Sequence, residues 1–181
     1  MAEFTVEFKI QVNPSDTGVV QIRVHPEWSP RGAQRFRELV ECKYYNNCRW
    51  HRVIEGFIAQ MGIAADPEVY AKWANSQFKD DPVVQKNTRG MVSFAKRGDP
   101  DTRSCQIFVN YADNSSSLDE LGFSPIGEVI QGMEVIDRLQ VSERKGQPGP
   151  DQAELKTRGN AYLDEAFRDR LSEILEATIV A

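Results

Sequence analysis

The stretch RWHRVIEGFIAQMG, residues 49–62, decides how this chain is read. Val53, Ile54, Phe57, Ile58 and Ala59 give it the apolar density of buried strand. Arg52 and Gln60 interrupt that density, and His51 is one of only two histidines in the chain. An unpartnered polar group inside a strand is costly, so both residues need something to bond. Two accounts compete. In one, Arg52 pairs with a nearby carboxylate and Gln60 caps a turn. In the other, both face a substrate. Plain hairpin alternation does not decide between them. Across a two-residue turn at Glu55-Gly56, Arg52 and Phe57 share a face and Gln60 falls on the other, so a common groove requires a bulge or a longer turn.

Upstream, Phe4, Val6, Phe8, Ile10 and Val12 alternate with polar residues, then Asn13-Pro14-Ser15-Asp16 supplies a turn, and Val20, Ile22 and Val24 alternate again. This is a hairpin signature. Ser29-Pro30 reads as an N-cap with proline at the first helical position, opening an amphipathic helix over residues 30–42 with Ala33, Phe36, Leu39 and Val40 inward. Further strands are expected near 48–54, 57–62, 91–95, 105–110, 127–130 and 152–157, with a short helix over 132–139. Residues 63–90 form a long polar excursion anchored by Trp73 and Phe78, a length that is often functional or locally folded. A last helix is expected from Asn160, with Leu163, Phe167, Leu171, Ile174 and Leu175 as its apolar stripe.

The chain has 181 residues, 40% hydrophobic and 27% charged, which suits a globular domain with a core of its own. A formal net charge of -5 gives no general attraction to nucleic acid or anionic membrane. No apolar run approaches the ~20 residues that span a bilayer. The start carries no signal sequence, and Cys42, Cys48 and Cys105 read as reduced thiols. A cytoplasmic protein is therefore expected, organellar location after processing being the other option. The usual catalytic constellations are weak. A Ser-His-Asp arrangement through His51 lacks a nucleophile elbow, and His51 reads instead as a packed, hydrogen-bonded residue. Asp99-Pro100-Asp101 lacks the glycine and closing glutamate of a calcium loop. Scattered cysteines and two histidines do not make a zinc site, and no cofactor is called for.

A second string, GMVSFAKRGDPDTRSCQIFVNYADN over residues 90–114, changes the balance. Together the two resemble the cyclophilin family of peptidyl-prolyl cis-trans isomerases. The matching blocks are His51-Arg52-Val53-Ile54, Gly56-Phe57, Gln60 and Gly62, then Ser93-Phe94-Ala95, Ser104-Cys105-Gln106-Ile107-Phe108, Leu118-Asp119, Phe123 and Gly127-Glu128-Val129. They run in order from about residue 4 to 158, and the 63–90 insertion looks like a divergent, bacterial-type branch. The resemblance implies a mainly β fold: a closed eight-stranded antiparallel barrel capped by two helices. It implies a peptide groove on the outer barrel face. Arg52, Phe57 and Gln60 carry over as the catalytic and substrate-orienting set, and Ile58, Ala95, Gln106, Phe108, Leu118 and Phe123 as groove walls. Residues 1–158 would form the isomerase domain. Residues 159–181 would be a C-terminal helical extension packed on it, away from the groove.

These residue types suit the reaction the resemblance implies. Rotation about an X-Pro bond faces a barrier of about 18–20 kcal/mol. As amide resonance is lost, the prolyl nitrogen becomes pyramidal and gains a lone pair. A guanidinium that never loses its charge can donate a hydrogen bond to it. The chain also departs from the family pattern. Ser117 stands where members that bind cyclosporin A tightly often carry Trp, Phe123 replaces a groove histidine, Lys96 replaces Asn, and Met61 and Ile63 alter the residues around Gly62. Cyclosporin A is therefore expected to bind weakly, and Lys96 to favour acidic residues next to proline. The expected partners are proline-containing peptides or unfolded and flexible protein segments, with the chain acting as a monomer. The alternative is a cyclophilin-like proline-peptide binding module or scaffold subunit with little isomerase activity.

Overall fold

The structure is a computed structural model that describes residues 1–181. β1 (Phe4–Asn13) and β2 (Asp16–Val24) form the expected hairpin, paired from Phe4↔Val24 to Asn13↔Asp16. Strict alternation places Val6, Phe8, Ile10 and Val12 in the core with no solvent exposure. α1 (Pro30–Glu41) follows and buries Ala33, Phe36, Leu39 and Val40. β3 (Arg52–Ile54), β4 (Ile58–Met61), β5 (Met91–Phe94), β6 (Ile107–Asn110), β7 (Pro125–Gln131) and β8 (Glu173–Ile179) complete one antiparallel sheet. Its order is β3-β4-β6-β5-β7-β2-β1-β8. The sheet curls around a single large core in which Phe8, Phe36, Tyr45 and Trp50 meet edge-on or tilted.

The expected closed barrel is formed with one irregular seam. The strand ladder opens at β3 and β8, and the chain just before β3 bridges the gap. Trp50 N donates to Ser172 O at 2.8 Å, Ile174 N to Cys48 O at 2.8 Å and Asn47 N to Ile174 O at 2.7 Å. An otherwise open sheet edge is thereby satisfied. α1 packs over β7 and β8, and α4 (Met133–Asp137) packs over β2. Four further short helices, α2 (Pro67–Ala74), α3 (Ser115–Leu118), α5 (Gln152–Arg158) and α6 (Asn160–Ala166), exceed the two the resemblance implied.

Three local expectations need correction. Residues 152–158 are helical, not extended, because Asp151 caps the segment by accepting from Glu154 N at 3.1 Å and QAELKTR is rich in helix formers. The C-terminal extension is not helical throughout. α6 ends at Ala166, and residues 173–179 form the eighth strand of the barrel, on the free edge of β1. The misleading periodicity has a physical origin. The β1–β8 register shifts between Lys9↔Glu176 and Ile10↔Ile174, so Leu175 is an extra, exposed residue. Leu175 thereby stands four residues after Leu171, in step with Leu163 and Phe167, which imitates a helical stripe although it is exposed on a strand. Leu163, Leu171 and Phe167 of the predicted stripe do pack together, in a small core with Ile63 and Leu155. Finally, Ser29 does not cap α1 directly. Its Oγ donates to Asp81 Oδ2 at 2.5 Å, and Asp81 accepts from Gly32 N at 3.0 Å and Arg31 N at 3.3 Å.

Asp81 belongs to the long excursion, which is locally folded and tightly anchored. Trp73 meets Tyr44 and Phe78 meets Phe94, both edge-on, as their size suggested. Arg103, fully buried, donates to Asp81 Oδ2 at 3.0 Å, Lys79 O at 2.7 Å and the Ser29 and Ser124 hydroxyls. Burial pushes the Asp81 carboxyl up, but its bonds from Ser29, Gly32 and Arg103 outweigh that and hold it below the usual range. A second polar knot sits beside the site. The buried Asn87 side chain donates to Asp119 Oδ1 at 2.7 Å and Phe123 O at 2.8 Å, and accepts from Ser93 Oγ at 2.8 Å.

Candidate active site

The turn between β3 and β4 answers the question posed by the sequence. Register runs Arg52↔Gln60, Val53↔Ala59 and Ile54↔Ile58, so the connection is three residues long, Glu55-Gly56-Phe57. Gly56 takes φ +74, a conformation that glycine adopts without strain, and Phe57 N donates back to Ile54 O at 3.0 Å. The extra residue moves Gln60 directly opposite Arg52 and onto the same face. β4 pairs with β6 through Gln60↔Phe108, which extends the row across a third strand. The alternate residues Val53, Ala59, Val109 and Val92 fill the barrel interior.

The outer face of this row is the floor of a groove with a cavity volume of about 620 Å³. All nine residues singled out by the resemblance line it. Ile58, Phe108 and Leu118 are buried against one another, with Phe57, Ala95 and Phe123 around them. The Phe108 and Phe123 rings meet edge-on with centroids 5.6 Å apart. The Asn87 knot and Asn114, which donates to Phe57 O at 2.9 Å, fix the 114–123 wall to the barrel. Arg52 stands beside this apolar patch, its side chain 36% exposed. Its Nη1 donates to Gln60 Oε1 at 3.4 Å, and Gln60 Nε2 donates to Gln106 Oε1 at 2.8 Å. The two glutamines thus link the guanidinium to the floor of the groove. Of the two sequence accounts, the first is met only weakly. Glu143 lies 3.8 Å from Arg52 Nε, a long and solvent-exposed pair, and Gln60 bonds side chains rather than a turn.

Histidine chemistry is not offered here. Burial pushes the His51 imidazole down to about 4, so it is neutral at neutral pH. It is packed as expected, with the Arg49 backbone and the Gln106 side chain as the polar groups that partly offset its burial, although neither contact reaches full hydrogen-bond geometry. His25 stacks on Trp28 and meets Glu3, Glu27 and Glu128 at 3.0–3.1 Å. Glu3, His25 and Glu27 bring three metal-type donor atoms within 4.8 Å of one another, but none of them lines the groove.

Sequence reasoning missed the far part of the groove. Tyr70 and Ala74 from α2 and Gln152 and Lys156 from α5 line it, together with Arg97 and Thr102 from the loop after β5. No motif marked them, because their convergence depends on how the insertions fold back. Lys96 was singled out, but its Nζ lies 3.7 Å from Asp80 and 5.9 Å from the Phe123 ring, and its side chain is 6% exposed. Its charge is already engaged.

The comparisons with known proteins say which family carries this curled antiparallel barrel. Residues 7–157 match the family described as cyclophilin type peptidyl-prolyl cis-trans isomerase/CLD, and the chain belongs to it. It is 34% identical over 143 residues to human peptidyl-prolyl cis-trans isomerase-like 3, spanning 74% of this chain and 85% of that protein. It is 30% identical over 130 residues to Escherichia coli peptidyl-prolyl cis-trans isomerase B, spanning 68% and 79%. The crystal structure of a Cryptosporidium parvum cyclophilin type peptidyl-prolyl cis-trans isomerase superposes with a TM-score of 0.71 at 22% identity, over 99% of both chains. A second crystal structure of that protein, obtained in the presence of the dipeptide Ala-Pro, gives 0.69. The chain is thus a peptidyl-prolyl cis-trans isomerase, and no helix in it is long and apolar enough to cross a membrane.

Proposed function

We propose that Arg52 is the catalytic group, donating a hydrogen bond to the prolyl nitrogen as that atom becomes pyramidal. Phe57, Phe108 and Leu118 hold the pyrrolidine ring, with Ile58, Ala95 and Phe123 completing the wall. Gln60 and Gln106 orient the guanidinium and the neighbouring backbone. The observation that carries this reading is the Arg52–Gln60–Gln106 relay at the edge of the Ile58–Phe108–Leu118 patch. Rate enhancement of ~10⁴ requires about 5.5 kcal/mol. A charge-assisted bond in a water-poor groove supplies roughly 1.5–3 kcal/mol, and desolvation and positioning supply the remainder. The substrates are proline-containing peptides and flexible protein segments, bound by a monomer. Three free thiols fit a reducing cytoplasm.

A chromogenic single-proline peptide assay across pH tests the chemistry. An arginine does not titrate in this range and His51 is already neutral, so kcat/KM should be flat from about pH 6 to 9. A rate that rises or falls around an ordinary imidazole value would assign the chemistry to a histidine. Cyclosporin A should bind weakly, because the exposed Ser117 offers neither indole area nor an N–H donor. Calorimetric titration reads this directly: Ser117→Trp should tighten binding at least about tenfold, and nanomolar binding by the unaltered protein would refute it.

A further inference from the structure

The chain is acidic overall, yet its groove is not. Among the 19 residues lining it are four cations, Arg52, Lys96, Arg97 and Lys156, and no carboxylate. Two of the four are engaged inside the protein, Lys96 by Asp80 and Arg52 loosely by Glu143. Arg97 and Lys156 have no carboxylate within ion-pair distance among the pairs the structure forms. Both are presented from ordered backbone. Arg97 N donates to Thr102 Oγ1 at 2.9 Å, and Asp80 and Asp101 exchange backbone-to-carboxylate bonds of 2.7 and 3.0 Å that pin the loop. Lys156 lies one turn after Gln152 on α5, and both line the same wall.

We infer that the groove selects proline peptides that carry an acidic side chain near the proline, with Arg97 and Lys156 as the residues that meet it. The inference rests on the isomerase reading of the groove and deepens it. Two uncompensated cations in a partly enclosed cleft attract a carboxylate and repel an ammonium, and local complementarity of this kind sets specificity. It also corrects the sequence-based assignment of acid preference to Lys96, whose charge Asp80 already meets. Net charge cannot supply the effect, because a chain of -5 repels acidic peptides at long range.

The test is kcat/KM on single-proline peptides bearing Ala, Glu or Lys at each of the three positions before and after the proline. An extended peptide advances about 3.3 Å per residue, so the series samples the length of the cleft. At one or two positions the Glu peptide should exceed its Lys counterpart about tenfold at low salt. The ratio should shrink at high salt as the charges are screened. In the Arg97→Gln/Lys156→Gln double variant the ratio should collapse to about twofold or less; the wild-type salt dependence serves as the second readout should that variant misfold. A ratio of one at every position, with the peptides turned over, would overturn the charge selection alone. No turnover of any peptide would overturn the isomerase reading and this inference with it.

Discussion

Deleting residues 171–181 is expected to leave a chain that does not fold. These residues contain β8, which covers the free edge of β1 through Val6↔Ile179, Phe8↔Ala177 and Ile10↔Ile174. They also close the seam to residues 47–50 and place Ser172 Oγ, which donates to Val12 O at 2.7 Å and accepts from Gln140 N at 3.0 Å. Leu171 and Ile174 alone bury about 1.5–3 kcal/mol each, before the unsatisfied edge of β1 and the opened core are counted. Domains of this size are stable by only ~5–15 kcal/mol, so the sum of losses exceeds what the remainder can bear. Thermal circular dichroism should show no cooperative transition. A cooperative melt within a few degrees of the full chain would mean that β8 is an accessory to the barrel. The milder Ile174→Ala leaves the strand in place and should cost about 2–5 kcal/mol.

Arg52→Ala should lower kcat/KM by ~10²–10³-fold, equivalent to about 2.7–4 kcal/mol of transition-state stabilisation. The fold should survive. Within the protein the side chain makes only the 3.4 Å bond to Gln60 and the long exposed contact to Glu143, and exposed pairs contribute about 0–1 kcal/mol. A lost rate with an unchanged melting temperature therefore separates chemistry from stability. Loss of both together would make Arg52 a structural residue and return the first sequence account, an arginine paired for its own sake.

The sequence made the alternating hairpin, α1 and the apolar core readable because each is governed by local periodicity. Arg52 and Gln60 stood out because polar side chains do not sit in a buried strand without cause. What joined them was a three-residue turn, and turn length is not written in alternation; Glu55-Gly56 suits a two-residue turn equally well. The family resemblance supplied the nine groove positions; the register sets Arg52, Ile58, Gln60 and Phe108 on one face, and all nine line one groove. β8 was misread because the exposed bulge residue Leu175 continues the four-residue series of Leu163, Phe167 and Leu171 past the end of the real helix. Arg103 and Asp81 were invisible for another reason. Each is an ordinary charged residue in a polar loop, and only long-range closure makes them a buried pair that caps α1. Arg97 and Lys156 converge on the groove by the same kind of closure.

The most direct measurement is exchange between the cis and trans forms of a single X-Pro bond, followed by NMR on one peptide with the unaltered protein and with Arg52→Lys. Uncatalysed exchange takes tens of seconds. The unaltered protein should bring it into the range of seconds or faster at substoichiometric amounts. Arg52→Lys keeps the charge but lacks the planar fork that can hold Gln60 and reach the prolyl nitrogen together. It should still shift the peptide resonances on binding while exchange falls close to the uncatalysed rate. Equal exchange rates for the two proteins would contradict catalysis by the Arg52 guanidinium.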